Sequence, residues 1–93
     1  MPAKMFLTVK IMPESPEVNL DEIKEKAKVV AKQFNVTFLE DKTEIEPVAF
    51  GLKALKLTFY MDESIGSESI TNELGTIENV NSAEVCDMRR AVG

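Results

Sequence analysis

The sequence contains no histidine, no tryptophan and only one cysteine, Cys86. Lack of histidine removes the commonest general base at neutral pH and the commonest transition-metal ligand. One cysteine rules out an intrachain disulfide, and alone it cannot build a zinc site of the usual kind. With no imidazole to activate it, Cys86 reads as a small packed hydrophobe. Covalent or acid–base catalysis therefore has little support, and neither a cofactor nor a metal is expected. Positive charge is also in deficit: Lys and Arg number 11 against 16 Asp and Glu, a net charge of −5. A chain that neutralises phosphates carries the opposite balance, so direct nucleic-acid and membrane-surface binding are disfavoured. No apolar run approaches a membrane span, and Lys4 followed by Met5-Phe6-Leu7 is too short for a signal peptide. The expected compartment is the cytoplasm.

What is present suits one packed core. Hydrophobic residues make up 44% and charged residues 29% of 93 positions, which predicts a single globular domain over residues 1–93. Met5 to Met12 alternates as a strand, with Leu7, Val9 and Ile11 on one side and Phe6, Thr8 and Lys10 on the other. Pro13 and Pro16 close it. Asn19 stands at a helix cap with Glu22 three residues on, the spacing of a capping box, and Val18 and Ile23 are placed as a hydrophobic staple. Leu20, Ile23, Ala27, Val30, Ala31 and Phe34 fall on one helical face, and Asn35 is a natural stop. Glu22 and Lys26 are spaced to pair along that helix.

Val36 to Glu46 predicts a second strand interrupted by Glu40-Asp41-Lys42, as an edge strand tolerates. Leu55, Leu57, Phe59 and Met61 alternate with Lys56, Thr58, Tyr60 and Asp62, a third strand with one buried face. Asp62-Glu63-Ser64-Ile65-Gly66 reads as a polar turn, with Ser64 or Ser67 capping a second helix through Ile70, Leu74 and Ile77. Gly75 would weaken that helix by about 1 kcal/mol relative to alanine. Asn79 and Asn81 flank a turn before a last strand over Ala83 to Met88. The order is βαββαβ, an α+β, ferredoxin-like two-layer sandwich. It predicts a four-stranded antiparallel sheet with two helices on one face. Strands one and three are expected at its centre, as parallel neighbours.

The stretch Glu46-Pro47-Val48-Ala49-Phe50-Gly51-Leu52-Lys53 is where a functional argument begins. Pro47 cannot donate to a ladder, so a central strand stops there, and Gly51 permits a sharp reversal. Val48, Ala49 and Phe50 then form an apolar tip. Phe50 either lids the open end of the core or anchors an interface. Other candidates have plainer readings. Phe6 and Tyr60 on the open sheet face are placed like the stacking aromatics of RNA-recognition motifs. Residues Val48 to Leu52 match that signature poorly: Val48 replaces a basic residue, Ala49 a glycine and Leu52 an aromatic. Glu40, Asp41, Glu44 and Glu46 lack the spacing of a calcium loop and read as a solvated edge. Lys24, Lys26, Lys28 and Lys32 read as a polar helix face, and Asp62 and Glu63 as turn residues. Arg89 and Arg90 follow the last strand, either as a solvated tail at a mobile terminus or as a probe for a partner's phosphate or carboxylate.

Pro47-Val48-Ala49-Phe50-Gly51-Leu52-Lys53-Ala54-Leu55 resembles a specific signature: Pro-Val-small-aromatic-Gly-aliphatic-basic-x-aliphatic, entering a third strand. It is that of the elongation factor 1-beta family, the guanine-nucleotide exchange domain of translation elongation, in its short archaeal form. Asp62-Glu63 with Gly66, Ser82-Ala83-Glu84-Val85 and Met88-Arg89-Arg90 add to the likeness, which spans essentially the whole chain. The resemblance implies a ferredoxin-like fold and a partner, the elongation factor 1-alpha GTPase in its GDP-bound and nucleotide-free states. It implies a non-enzyme that is a monomer when free and binds no cofactor. It places Phe50 in a hydrophobic pocket of the GTPase, flanked by Val48, Ala49, Gly51 and Lys53. Where eukaryotic relatives send a C-terminal lysine to the magnesium and phosphate site, this chain offers Arg90, or Arg89. The alternatives are a single-strand RNA-binding module using Phe6 and Tyr60, and a small-molecule sensing domain of the same fold. An enzyme is the weakest option.

Overall fold

A computed structural model describes residues 3–91, so both ends of the expected domain lie outside the described residues. Strand β1 spans Lys4–Pro13 and helix α1 spans Leu20–Gln33. Two short strands follow, β2 (Thr37–Phe38) and β3 (Glu44–Pro47), with a 3-10 turn, Glu40–Lys42, between them. A second 3-10 turn, Ala49–Gly51, leads to β4 (Lys53–Asp62); α2 (Ser67–Gly75) and β5 (Val80–Arg90) complete the chain.

The sheet runs β2-β4-β1-β5, with β3 also on β4, and the fold is the ferredoxin-like sandwich. It has five strands rather than four because the expected second strand is cut in two. Five residues, 39–43, stand opposite only residues 57 and 58 of β4. The charged Glu40-Asp41-Lys42 run takes up the excess as a turn. Glu40 accepts from Lys28 at 3.1 Å and lies 3.3 Å from Lys24, which ties that turn to α1.

The two central strands are antiparallel, not parallel, from Lys4 opposite Asp62 to Ile11 opposite Leu55. The reason is topological. The crossover through α1 returns the chain one strand away from β1, and the tight β3–β4 connection then reverses it into the gap. Strand β5 pairs antiparallel with the other side of β1 and runs from Val80 to Arg90. Asn81, Arg89 and Arg90 are therefore strand residues, and the expected mobile basic tail is tied to the sheet.

The alternation in β1 and β4 produces the core directly. Leu7, Val9, Ile11, Leu57 and Phe59 are 0% exposed and meet Ile23, Ala27, Ile70 and Leu74 from the helices. Both helix ends can be traced to sequence. Asn19 Oδ1 accepts from Asp21 N at 2.9 Å, a side-chain cap, although the reciprocal bond of a capping box is not among the contacts of the described residues. Past the other end Asn35 adopts φ +56°, Val36 N donates to Ala31 O and Asn35 N to Lys32 O. These two bonds make a Schellman motif. Lys26 lies 3.7 Å from Glu78 rather than pairing with Glu22. Helix α2 starts differently from the expectation: Gly66 occupies its cap with no side-chain bond, and Ser67 is already helical. Gly75 is its last residue, where the interior penalty does not apply.

Replacing Phe59 with alanine should cost about 3–5 kcal/mol, a large share of a small domain's stability, read as a lowered urea midpoint. Lys28, then Lys24, hold the Glu40 carboxyl below the usual range. A lowered carboxyl contributes stability above its unfolded pKa and loses it as the pH falls through its folded value. Glu40→Gln should therefore lower the midpoint at pH 7 and make little difference at pH 3, measured by urea titration at both.

Candidate functional site

The connection between β3 and β4 is a strained, well-tied loop. Pro47 is the last β3 residue and faces Lys53. Val48 N donates to Leu52 O at 2.8 Å, and Leu52 N donates to Ala49 O at 3.2 Å. Between these bonds the chain reverses through two left-handed residues, Phe50 at φ +61° and Gly51 at φ +76°. Gly51 was expected to supply such a conformation. Phe50 was not, since a bulky residue rarely adopts it.

That geometry decides between the two readings of Phe50. Its side chain is 93% exposed and covers no part of the core. Ala49, Gly51 and Lys53 are exposed beside it, while Val48 and Leu52 are half-buried. Residues on both sides hold the loop, and its tip presents an aromatic ring to solvent. Burying such a ring recovers about 1.5–3 kcal/mol, which an incoming pocket can use. Ile45 on β3, 55% exposed, adds apolar surface on the strand that enters the loop. In the sequence it reads only as a strand residue, because a short edge strand gives no sign of how far the helices cover it.

The two arginines lie elsewhere. Arg90 pairs with Met5 and Arg89 with Phe6, so the two side chains leave opposite faces of β5. Met5 also faces Met61 near the far end of β4, whereas the Phe50 loop precedes Lys53 at the near end. Ten residues of strand separate these ends, about 30 Å. The structure thus gathers Val48, Ala49, Phe50, Gly51 and Lys53 at one end of the sheet and Arg89 and Arg90 at the other.

Each arginine already has an acidic partner. Arg89 Nε lies 2.9 Å from Asp87 Oδ2, and Arg90 donates through Nη2 to Glu63 Oε1 at 2.9 Å. Glu63 is a contact that sequence spacing could not reveal, being 27 residues away from Arg90. Its loop is fixed: Glu63 N donates to Ala3 O, and Asp62 Oδ1 accepts from Ser64 N at 2.9 Å. That bond to Ser64 holds the Asp62 carboxyl below its usual range.

The remaining candidates resolve simply. Phe6 and Tyr60 lie on the open sheet face with ring centroids 5.2 Å apart and pack on each other. Two of the four acidic residues at the edge are engaged by lysines, Glu40 by Lys24 and Lys28, and Glu46 by Lys56. Lys56 also pulls the Glu46 carboxyl below its usual range. Cys86 is exposed, not packed, because it is the extra residue where the β1–β5 register shifts between Thr8 and Val9. Among the described residues no helix is long and apolar enough to cross a membrane.

Residues 6–91 match the family model of the EF-1 guanine nucleotide exchange domain. The chain belongs to this family. It is 42% identical over 84 residues to elongation factor 1-beta of Nanoarchaeum equitans, covering 89% of this chain and all of the relative. Against elongation factor 1-beta of Pyrococcus abyssi the identity is 43% over 82 residues, covering 83% of this chain and 84% of the relative. Membership carries a guanine-nucleotide exchange role on the elongation factor 1-alpha GTPase. Among solved structures, the ACT domain of a GTP pyrophosphokinase from Chlorobium tepidum aligns with a TM-score of 0.60 at 12% identity, covering 88% of this chain and 97% of that one. The C-terminal domain of MgtC from Mycobacterium tuberculosis also gives 0.60 at 12%, covering 97% and 88%. At that identity the likeness is of fold alone.

Adding a Cβ at Gly51 meets nothing within 4 Å, so any penalty there comes from φ alone. Gly51→Ala should lower stability by about 1 kcal/mol, measured by urea denaturation. An unchanged midpoint would mean that the left-handed turn is not required.

Proposed function

We propose that the chain performs nucleotide exchange by gripping the elongation factor 1-alpha GTPase at two separated points. Phe50 enters an apolar pocket of the GTPase and supplies docking energy. Arg90, at the other end of the sheet, reaches toward the magnesium and phosphate site. Arg89 leaves the opposite face of β5, over the open sheet surface rather than toward the Glu63 loop at the sheet end, which makes it the less suitable of the two. The observation that carries the reading is the 93% exposure of Phe50 on a loop tied at both sides.

The mechanism needs no covalent step, so the chain is not an enzyme in the bond-making sense. GDP is held on such GTPases by phosphate contacts and a bridging magnesium ion. An aromatic wedge that displaces the elements supporting the metal, together with a guanidinium that competes with its charge, loosens the nucleotide. Linkage then requires GDP to weaken binding of the exchange domain by the same factor. The domain stabilises the nucleotide-free GTPase and speeds release and rebinding alike, while the cellular excess of GTP sets direction. In this reading it acts as a monomer in the cytoplasm and contacts neither nucleic acid nor membrane.

Phe50→Ala should lower stimulated release of fluorescent GDP by about thirtyfold, the ~2 kcal/mol of a buried aromatic anchor. Its urea midpoint should barely move, because the ring contacts no core. Wild-type exchange by this variant would sink the docking role.

A further inference from the structure

The Arg90–Glu63 pair joins the end of β5 to the β4–α2 loop, and it is a poor candidate for a stabilising device. Arg90's side chain is 72% exposed and Glu63's 32%. Ion pairs this exposed add little to stability because water and salt screen them. Its geometry, however, is ordered from both sides. Ala91 N donates to Lys4 O at 2.8 Å and fixes the backbone just after Arg90, and Glu63 N donates to Ala3 O at 2.8 Å. Asp62 and Ser64 hold the loop that carries the carboxylate. A strand end and a loop, each held by backbone bonds, therefore meet through one charge-assisted bond among the described residues. That bond uses Nη2 and one carboxylate oxygen. A guanidinium has five N–H donors in a planar fork, and among the described residues the rest of the fork has no second acidic partner.

We infer that Glu63 is a positioning residue for exchange: its carboxylate aims the Arg90 guanidinium off the end of the sheet toward the anionic centre of the bound GTPase. The inference rests on the reading that Arg90 takes part in exchange. A free arginine samples many rotamers, and ordering it on contact costs entropy that a pre-set partner removes in advance. The contact is made where nucleotide is loosened, while docking is supplied by the Phe50 loop about 30 Å away. Glu63 should thus act on the maximal exchange rate and not on the affinity of docking.

The test is a four-member set, wild type, Arg90→Ala, Glu63→Gln and the double variant, in stimulated release of fluorescent GDP at varied exchange-domain concentration. Arg90→Ala should lower the maximal rate. Glu63→Gln should lower it about three- to tenfold while keeping the half-saturating concentration within about twofold, and should add nothing in the Arg90→Ala background. Thermal midpoints should be unchanged, which separates positioning from loss of fold. If Arg90→Ala exchanges like wild type, the role of Arg90 falls and the inference with it. If Arg90→Ala is slow but Glu63→Gln is normal or faster, only the positioning role is overturned. Equal losses from Glu63→Gln in both backgrounds would also overturn it, since Glu63 would then act apart from Arg90.

Discussion

The antiparallel register of β4 on β1 governs the molecule's working geometry. It runs from Lys4 against Asp62 to Ile11 against Leu55 and places ten residues of β4 along the centre of the sheet. A slip of one residue would turn Leu55, Leu57, Phe59 and Met61 out of the core, so the register is strongly held. Both proposed contact points hang from its ends. The Phe50 loop leads into β4 at one end, and the Glu63 loop leaves it at the other. Because the strand is stiff, the distance between the apolar tip and the cationic tip is a property of the fold and not of loop motion.

The two tips are built on contrasting principles. At the near end an aromatic ring is held away from the core by backbone bonds and two left-handed residues, an arrangement the free protein gains nothing from. Strain of this kind persists where surrounding structure over-determines it. At the far end the charge is kept in order by an opposite charge, at little cost or benefit to stability. One end offers buried area and the other offers a directed cation. The proposed mechanism uses both kinds of contact, since the nucleotide pocket combines protein supports with an anionic, metal-bridged centre. A net charge of −5 disfavours general polyphosphate binding by the surface as a whole.

Much of this was legible without coordinates. The period-two pattern of Leu7, Val9 and Ile11 and of Leu55 to Met61 specified the buried faces, because strand alternation is a local property. Asn19 and Asn35 marked the ends of α1 through side-chain and left-handed preferences that also act locally. Pro47, Phe50 and Gly51 marked the loop and, as the most specific part of a resemblance that spans essentially the whole chain, the family. The start of α2 was misread because two serines offered caps and the chain used Gly66, a choice set by how the turn leaves β4.

Tertiary structure alone decided the rest. Exposure of Phe50 depends on the left-handed turn at Phe50 and Gly51 and the backbone bonds beside it, which no spacing encodes. The antiparallel relation of β1 and β4 follows from the order in which crossover and hairpin insert strands. The division of β2 from β3 depends on residues 39–43 exceeding the length available beside β4. The place of Arg90 beside Glu63, and its distance from Phe50, came from pairing between segments far apart in the chain. Local propensity and periodicity act over a few residues and can be read directly. Contacts across 27 positions exist only once the sheet has closed, and they are what tied Arg90 of the expected basic tail to Glu63.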